Sequence, residues 1–334
     1  MINNEFGIGI IGTGSYVPEK ILTNKELEAM VDTSDEWIFS RTGIKERRIL
    51  DKDKATSYMA VKAAEKALES SGLKPRDIDL VIVTTVTPDM AFPSTACIVQ
   101  DKLRFENAAA FDLEAACTGF IYGIATGYSF INSNIYENVL VISADSLSKI
   151  VDWSDRNTCV LFGDGAGAVV LSKVPEDKGI QAVDLGADGK GGNLLKQPAG
   201  GSSIPATKET VENKLHHIKM EGNSVFKFAV KTMTQSSRKV MNESDVEIDS
   251  IDHLIPHQAN IRIINSASKK LKIDNEKVYM NLDKYGNMSS ASIPVALDEA
   301  VRKERIKDGD NIILVGFGGG LTWGSSLIKW HCKN

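Results

Sequence analysis

The chain has 334 residues, 42% of them hydrophobic and 25% charged, with a formal net charge of -5; this is the composition of a folded globular protein, not of a disordered or fibrous one. The negative balance argues against general nucleic-acid binding, although a local basic patch would not register in the total. Four cysteines without close pair spacing suggest reduced thiols, and with no apolar run near the roughly 20 residues of a bilayer span and no basic leader in "MINNEFGIGIIG", a cytoplasmic protein is expected.

From the N-terminus, "GIGIIGTG" carries G-x-G-x-x-G at Gly7, Gly9 and Gly12. A dinucleotide motif needs a strand before it and a helix after it. Only six residues precede Gly7, and Pro18 stands where the helix should already be running, so these glycines belong to a first strand and its exit. The period of "ATSYMAVKAAEKALESSG" (55 to 72) predicts a helix, and "LVIVTT" (80 to 85), "NVLVIS" (138 to 143) and "AVVLS" (168 to 172) predict strands buried on both faces, an α/β pattern. Adjacent His216 and His217, and His331 with Cys332 in what reads as a frayed tail, lack metal-ligand spacing. No metal is expected, and no G-x-S-x-G elbow points to a serine hydrolase.

The second half repeats the first. "IDLVIVTT" (78 to 85) matches "IDHLIPHQ" (251 to 258), and "ENVLVISAD" (137 to 145) matches "DNIILVGFG" (310 to 318), both at an offset of 173 residues. The endings "FGDGAGAVVLSKV" (162 to 174) and "FGGGLTWGSSLIKW" (317 to 330) are also alike, so the halves are taken as 1–175 and 176–334 with one shared topology. Gly119, Gly123 and Gly127 in the first half, and Ser292, Ala296 and Ala300 in the second, form small-residue ridges along one helical face. Three helical glycines cost roughly 3 kcal/mol relative to alanine, which predicts a compensating close contact between two central helices. The other reading, that these glycines mark loops, stays open.

Cys117, at the predicted start of the first ridge helix, would meet unpaired N–H groups that favour thiolate. It reads equally well as a buried structural thiol. His257 follows a short strand at the edge where α/β proteins place functional loops. Asn287 stands before the second ridge helix, near the place Cys117 holds before the first, so a pseudo-twofold brings the two together with His257 in reach.

These three residues, in the words "DLEAACTGF", "PHQANIRI" and "YGNMSSAS", together with "DTSDEWIFSRTGIKERRI" (32 to 49), "FGDGAGAVVL" and "GFGGGLTWG", resemble the thiolase-fold condensing enzymes of the β-ketoacyl-acyl-carrier-protein synthase III family over essentially the whole chain. The resemblance implies a five-layered αβαβα thiolase-like fold of two duplicated halves. It implies an acyltransferase that initiates type II fatty acid biosynthesis. A short acyl-CoA acylates Cys117, and malonyl-acyl-carrier protein loses CO2 to give the enolate that attacks the acyl group. A third catalytic position held by Asn287 resembles the initiating and chalcone-type synthases rather than thiolases or elongating synthases.

By the same resemblance, the amides of Cys117 and Gly319 hold the first oxyanion, and neutral His257 and Asn287 hold the enolate oxygen, since an amide donates without titrating. Trp37 and Arg156 match the adenine clamp for CoA, with Thr33, Arg41, Phe226, Ala259 and Asn260 at further CoA positions. Gln258, Ala259, Asn260, Ile261 and Arg262, with Lys227, Lys269 and Lys270, match the docking surface for acidic acyl-carrier protein. Leu147 belongs to the acyl pocket, and Phe92 reaches the partner's pocket across a homodimer interface. Arg41 as a plain surface ion pair, Lys269 and Lys270 as a solvated helix face, and Phe92 as an ordinary core residue remain the competing readings. CoA enters as a substrate thioester, so no cofactor is expected, and neither nucleic acid nor membrane is a partner. A relative serving specialised metabolism, or a non-catalytic scaffold of the same fold, are the functional alternatives.

Overall fold

The computed structural model describes residues 5–332. Strands β1 (Gly7–Tyr16), β2 (Leu80–Thr84), β3 (Ala109–Leu113), β4 (Val139–Ser146) and β5 (Asp164–Val174) form one sheet in the order β1-β5-β4-β2-β3. Strands β6 (Gly179–Ala187), β7 (His253–Pro256), β8 (Asn311–Gly318) and β9 (Thr322–Lys329) form the second, in the order β7-β8-β9-β6. The glycines of "GIGIIGTG" lie inside β1, which removes the dinucleotide motif.

Alternation along the strands sorts the core into layers. Leu80, Ile82, Val139 and Val141 enter one cluster together with Ile312 and Leu314, while Val81, Val83, Leu140 and Ile142 enter another on the opposite face of the first sheet. Ile313 and Val315 turn the opposite way, into a third cluster. A period of two with both neighbours apolar is what strands covered on both faces require.

Six helices matter for the site: α1 (Asp35–Thr42), α2 (Thr56–Ser71), α3 (Gly119–Asn132), α4 (Gly222–Glu243), α5 (Ile261–Leu271) and α6 (Ser292–Arg302). The buried face of α2 is almost all alanine, at positions 60, 63, 64 and 67, and Gly72 ends the helix at φ +71°. It covers the outer face of the first sheet, α4 and α5 cover the second, and α3 and α6 run between the sheets. No described helix is long and apolar enough to cross a membrane.

Two expectations need correction. The glycine ridge of α3 meets the first sheet, not chiefly the other central helix. A Cβ on Gly123 would lie 2.7 Å from Val141 Cγ1, and one on Gly127 would lie 2.8 Å from Leu171 Cδ1; only at Gly119 does the second half approach, with Ser290 Cβ at 3.3 Å behind Thr84 Cβ at 3.0 Å. The strand face is crowded with branched side chains, so the helix closes on it only without its own Cβ atoms. The shared topology also breaks at one place: where the offset predicts a partner for β3, the chain forms a short helix, Leu282–Tyr285. "LDKYG" carries a charged pair and a glycine, poor strand formers, in place of "AAFDL". Nor is the C-terminal tail frayed as far as Cys332, whose N–H donates to Asp308 at 2.9 Å.

Candidate active site

The offset of 173 residues reappears in backbone geometry. Ala116 has φ +46° and Ser289 has φ +49°, each in a 3₁₀ turn that runs directly into a central helix. Non-glycine residues rarely adopt this left-handed conformation. Neither alanine nor serine announces it in sequence. Strictly by offset, Cys117 corresponds to Ser290, and Asn287 sits three residues earlier, opposite Glu114.

Cys117 is buried at 7% exposure where two cavities meet. One, of about 440 Å³, is lined by Cys117, Leu147, Val86, Phe162, Ser289 and Gly319. The other, of about 120 Å³, carries Cys117, His257, Asn287, Phe226, Ala259 and Asn260. The chain thus brings the three candidate catalytic side chains, 170 residues apart at the extremes, around one small space. Burial pushes the Cys117 thiol up to about 12, with the Ser289 hydroxyl pulling the other way and the Asp145 carboxylate adding to the rise. The helix terminus does not keep a thiolate here, because enclosure outweighs it.

The loop that closes β8 onto β9 reaches the nucleophile. A Cβ on Gly318 would lie 2.7 Å from Cys117 N and 3.1 Å from Ala116 Cβ, so only glycine fits. Neither Cys117 N–H nor Gly319 N–H donates to a backbone acceptor among the described residues. Two such donors on the wall of one cavity can hold an oxyanion.

His257 extends β7 by one residue, its N–H donating to Val315 at 2.8 Å. Its ring stands edge-on to Phe317, centroids 5.4 Å apart, and its Nδ1 lies 2.7 Å from Ser292 Oγ. Complete burial pushes the imidazole down to about 3 from 6.5, so it stays neutral through the working pH range. Because the unfolded chain takes up this proton below about pH 6.5 and the folded one does not, stability present above that pH is lost as pH falls toward 3. We expect His257 alone to cost up to about 1.4 kcal/mol per pH unit in that window. Urea midpoints at pH 7 and pH 5 check this: His257→Gln should lose less stability between them than the wild type.

Asn287 is held by the first half. Its N–H donates to Leu161 O at 2.9 Å and its carbonyl accepts from Gly163 N at 3.0 Å, so "FGDG" serves as a backbone clamp. Its side-chain Oδ1 accepts from Ser289 N at 2.8 Å, which leaves Nδ2 as the end free to donate. The turn that carries Ser289 is fastened by Asp145, a wholly buried carboxylate accepting from Thr85, Val86 N, Thr87 and both Ser290 N and Ser290 Oγ. Burial raises the Asp145 carboxyl, against those donors. Ser289, Asp145 and Phe317 were not singled out from sequence, since none belongs to a spacing pattern.

The other candidates divide. The Arg156 guanidinium lies 4.7 Å over the Trp37 ring, and Arg41 lies 6.0 Å from the same ring. Arg156 is also tied to Asp32 O at 2.7 Å, so the clamp's two jaws touch each other and an adenine enters only by displacing the guanidinium. Thr33 Oγ1 is buried without a protein partner. Asn260 is occupied: it caps α5 through Arg262 N and donates to Arg41 O. Gln258, fully buried, spends its amide on Pro256 O, Tyr279 O and Asn281 N; it cannot touch a docked protein. Ile261 packs on Gly43, whereas Arg262, Lys227, Lys269 and Lys270 are exposed, with Arg262 5.8 Å from the Phe226 ring. Phe92 is 85% exposed, which excludes a core residue and keeps it out of this chain's own cavity.

Comparison with known proteins agrees with this geometry. Residues 111–189 match the family model "3-Oxoacyl-[acyl-carrier-protein (ACP)] synthase III", and residues 241–330 match its C-terminal counterpart. A beta-ketoacyl-[acyl-carrier-protein] synthase III of Caldanaerobacter subterraneus subsp. tengcongensis is 62% identical over 96% of this chain and 97% of its own length. The chain belongs to the 3-oxoacyl-[acyl-carrier-protein] synthase III family. Within that family, the protein of Natranaerobius thermophilus is 61% identical over 96% of this chain and 98% of its own. The crystal structure of 3-oxoacyl-[acyl-carrier-protein] synthase III from Aquifex aeolicus superposes with a TM-score of 0.90 at 48% identity, over 97% of this chain and all of that one. The fold is thiolase-like, and the protein is an acyltransferase of the condensing type.

Proposed function

We propose that the protein joins a short acyl-CoA primer to malonyl-acyl-carrier protein in the cytoplasm, with Cys117, His257 and Asn287 as catalytic residues, and so opens a type II fatty acid cycle. The observation that carries this reading is the meeting of those three side chains, from both ends of the chain, around one cavity of about 120 Å³. The reading takes the chain as two halves joined near residue 175.

In the first half-reaction, the Cys117 sulfur adds to the thioester carbonyl, and the amides of Cys117 and Gly319 hold the oxyanion. The carbon–sulfur bond to CoA breaks, and CoA departs as the thiol, carrying the proton that Cys117 gave up. In the second, the malonyl carboxylate leaves as CO2 and its bonding pair becomes the enolate, whose oxygen takes hydrogen bonds from His257 and Asn287 Nδ2. The enolate carbon attacks the acyl-Cys117 carbonyl, and the released thiolate recovers a proton from solvent. Neutral donors suit this step, because a cationic or anionic group beside the site would bias it toward one intermediate. The acyl chain occupies the 440 Å³ cavity beside Leu147 and Val86. CoA lies toward Trp37, Arg156 and Thr33. A homodimer fits the exposure of Phe92 and the free edge of β3.

The carrier protein, acidic by the same reading, docks on Arg262 and Lys227, with Lys269 and Lys270 farther along α5. The test supplies purified protein with acetyl-CoA and malonyl-acyl-carrier protein and follows 3-oxoacyl-carrier protein by mass. Product is expected, and its absence would overturn the assignment. In the same assay, Arg262→Glu should raise KM for malonyl-carrier protein about tenfold or more while leaving KM for acetyl-CoA within about twofold, a charge reversal worth roughly 1.4 kcal/mol. Equal effects on both substrates would remove Arg262 from the docking surface.

A further inference from the structure

The sequence placed Ser292 in a ridge of small residues, yet its hydroxyl does something its size does not require. Ser292 and His257 are both buried, at 0% and 1% exposure, with Oγ and Nδ1 2.7 Å apart. The backbone N–H of Gln258 also points at Ser292 Oγ, at 3.3 Å. Among the described residues the hydroxyl hydrogen has no other acceptor.

We propose that Ser292 is a positioning residue that fixes His257 as its Nε2–H tautomer, so that Nε2 presents a donor to the cavity. The argument is one of satisfying each group. If Nδ1 carried the proton, the Ser292 oxygen would accept twice and its own hydrogen would be orphaned in a dry interior. If Nε2 carries it, the oxygen accepts from Gln258 N, the hydroxyl donates to Nδ1, and every group is paired. An orphaned buried donor disfavours the first arrangement by roughly ten- to a hundredfold. The hydrogen bond at one ring nitrogen thereby sets what the other can do. Ser292 acts from the first turn of α6, so the same helix start that follows Asn287 also directs His257.

This inference rests on the catalytic role given to His257, and its test separates the two. Long-range proton–nitrogen NMR on the uniformly labelled full chain resolves the five histidines, with His257 assigned by its absence in His257→Gln. The wild type is expected to give the Nε2–H pattern, and Ser292→Ala a mixture with the Nδ1–H form. Condensation kcat in Ser292→Ala should fall at least about tenfold, while acylation of Cys117 by acetyl-CoA stays within about twofold. Ser292→Thr, which keeps the hydroxyl, should restore the Nε2–H pattern and most of kcat. An Nδ1–H pattern in the wild type overturns the proposal whether or not any variant folds, and so does an undisturbed Nε2–H pattern in folded Ser292→Ala. Full condensation by His257→Gln would instead remove the catalytic role and leave the tautomer assignment standing.

Discussion

Cys117→Ala is expected to abolish the acyl-enzyme while leaving the fold in place. The change removes one sulfur atom from a side chain that borders two cavities, so the packing loss stays near about 1 kcal/mol. Intact mass after incubation with acetyl-CoA, butyryl-CoA or isobutyryl-CoA should rise by one acyl group in the wild type and not at all in the variant. Condensation should drop at least about 1000-fold, the scale on which removal of a nucleophile is felt. An undiminished adduct would move the nucleophile to another thiol, and exposed Cys97 would be the first to examine. The wild-type series also reports which primers the Leu147 cavity admits.

Asn287→Asp should separate the two half-reactions. The carboxylate keeps the acceptor that Ser289 N uses, so the turn should hold, but the Nδ2 donor is lost and a negative charge faces the enolate. Condensation is expected to fall by roughly 100- to 1000-fold, the range for losing one oxyanion donor, with the acyl adduct still forming on Cys117. The sign of the pH dependence follows from the chemistry. A protonated carboxyl regains an O–H donor and loses its charge, so the residual condensation rate should climb as pH falls, whereas Asn287 itself does not titrate. Loss of the adduct as well, or a rate indifferent to pH, would place Asn287 outside the enolate site.

Catalytic and structural demands share the same few turns here. The 3₁₀ segments ahead of α3 and α6 each contain a left-handed residue, Ala116 and Ser289, and each aims a functional group: Cys117 directly, Asn287 through the Ser289 amide. Asp145 binds the second turn to the first sheet with five neutral donors. The site therefore lies where one half is hydrogen-bonded to the other, and a change in either should be felt at both.

Periodicity in the strands, the 173-residue offset and the motif words around Cys117, His257 and Asn287 were enough, from sequence alone, to reach the layered fold, the family and the reaction. Local chemistry writes these features directly: apolar alternation records burial, and a repeated spacing records a repeated topology. Sequence did not reveal that the glycine ridge meets branched strand residues, that Gln258 and Asn260 are consumed inside the structure, that Arg156 already rests on Trp37, or that Ser292 faces His257. Each depends on which long-range neighbour wins a donor, an acceptor or a few ångströms of space, and that competition exists only once the two halves have closed on each other.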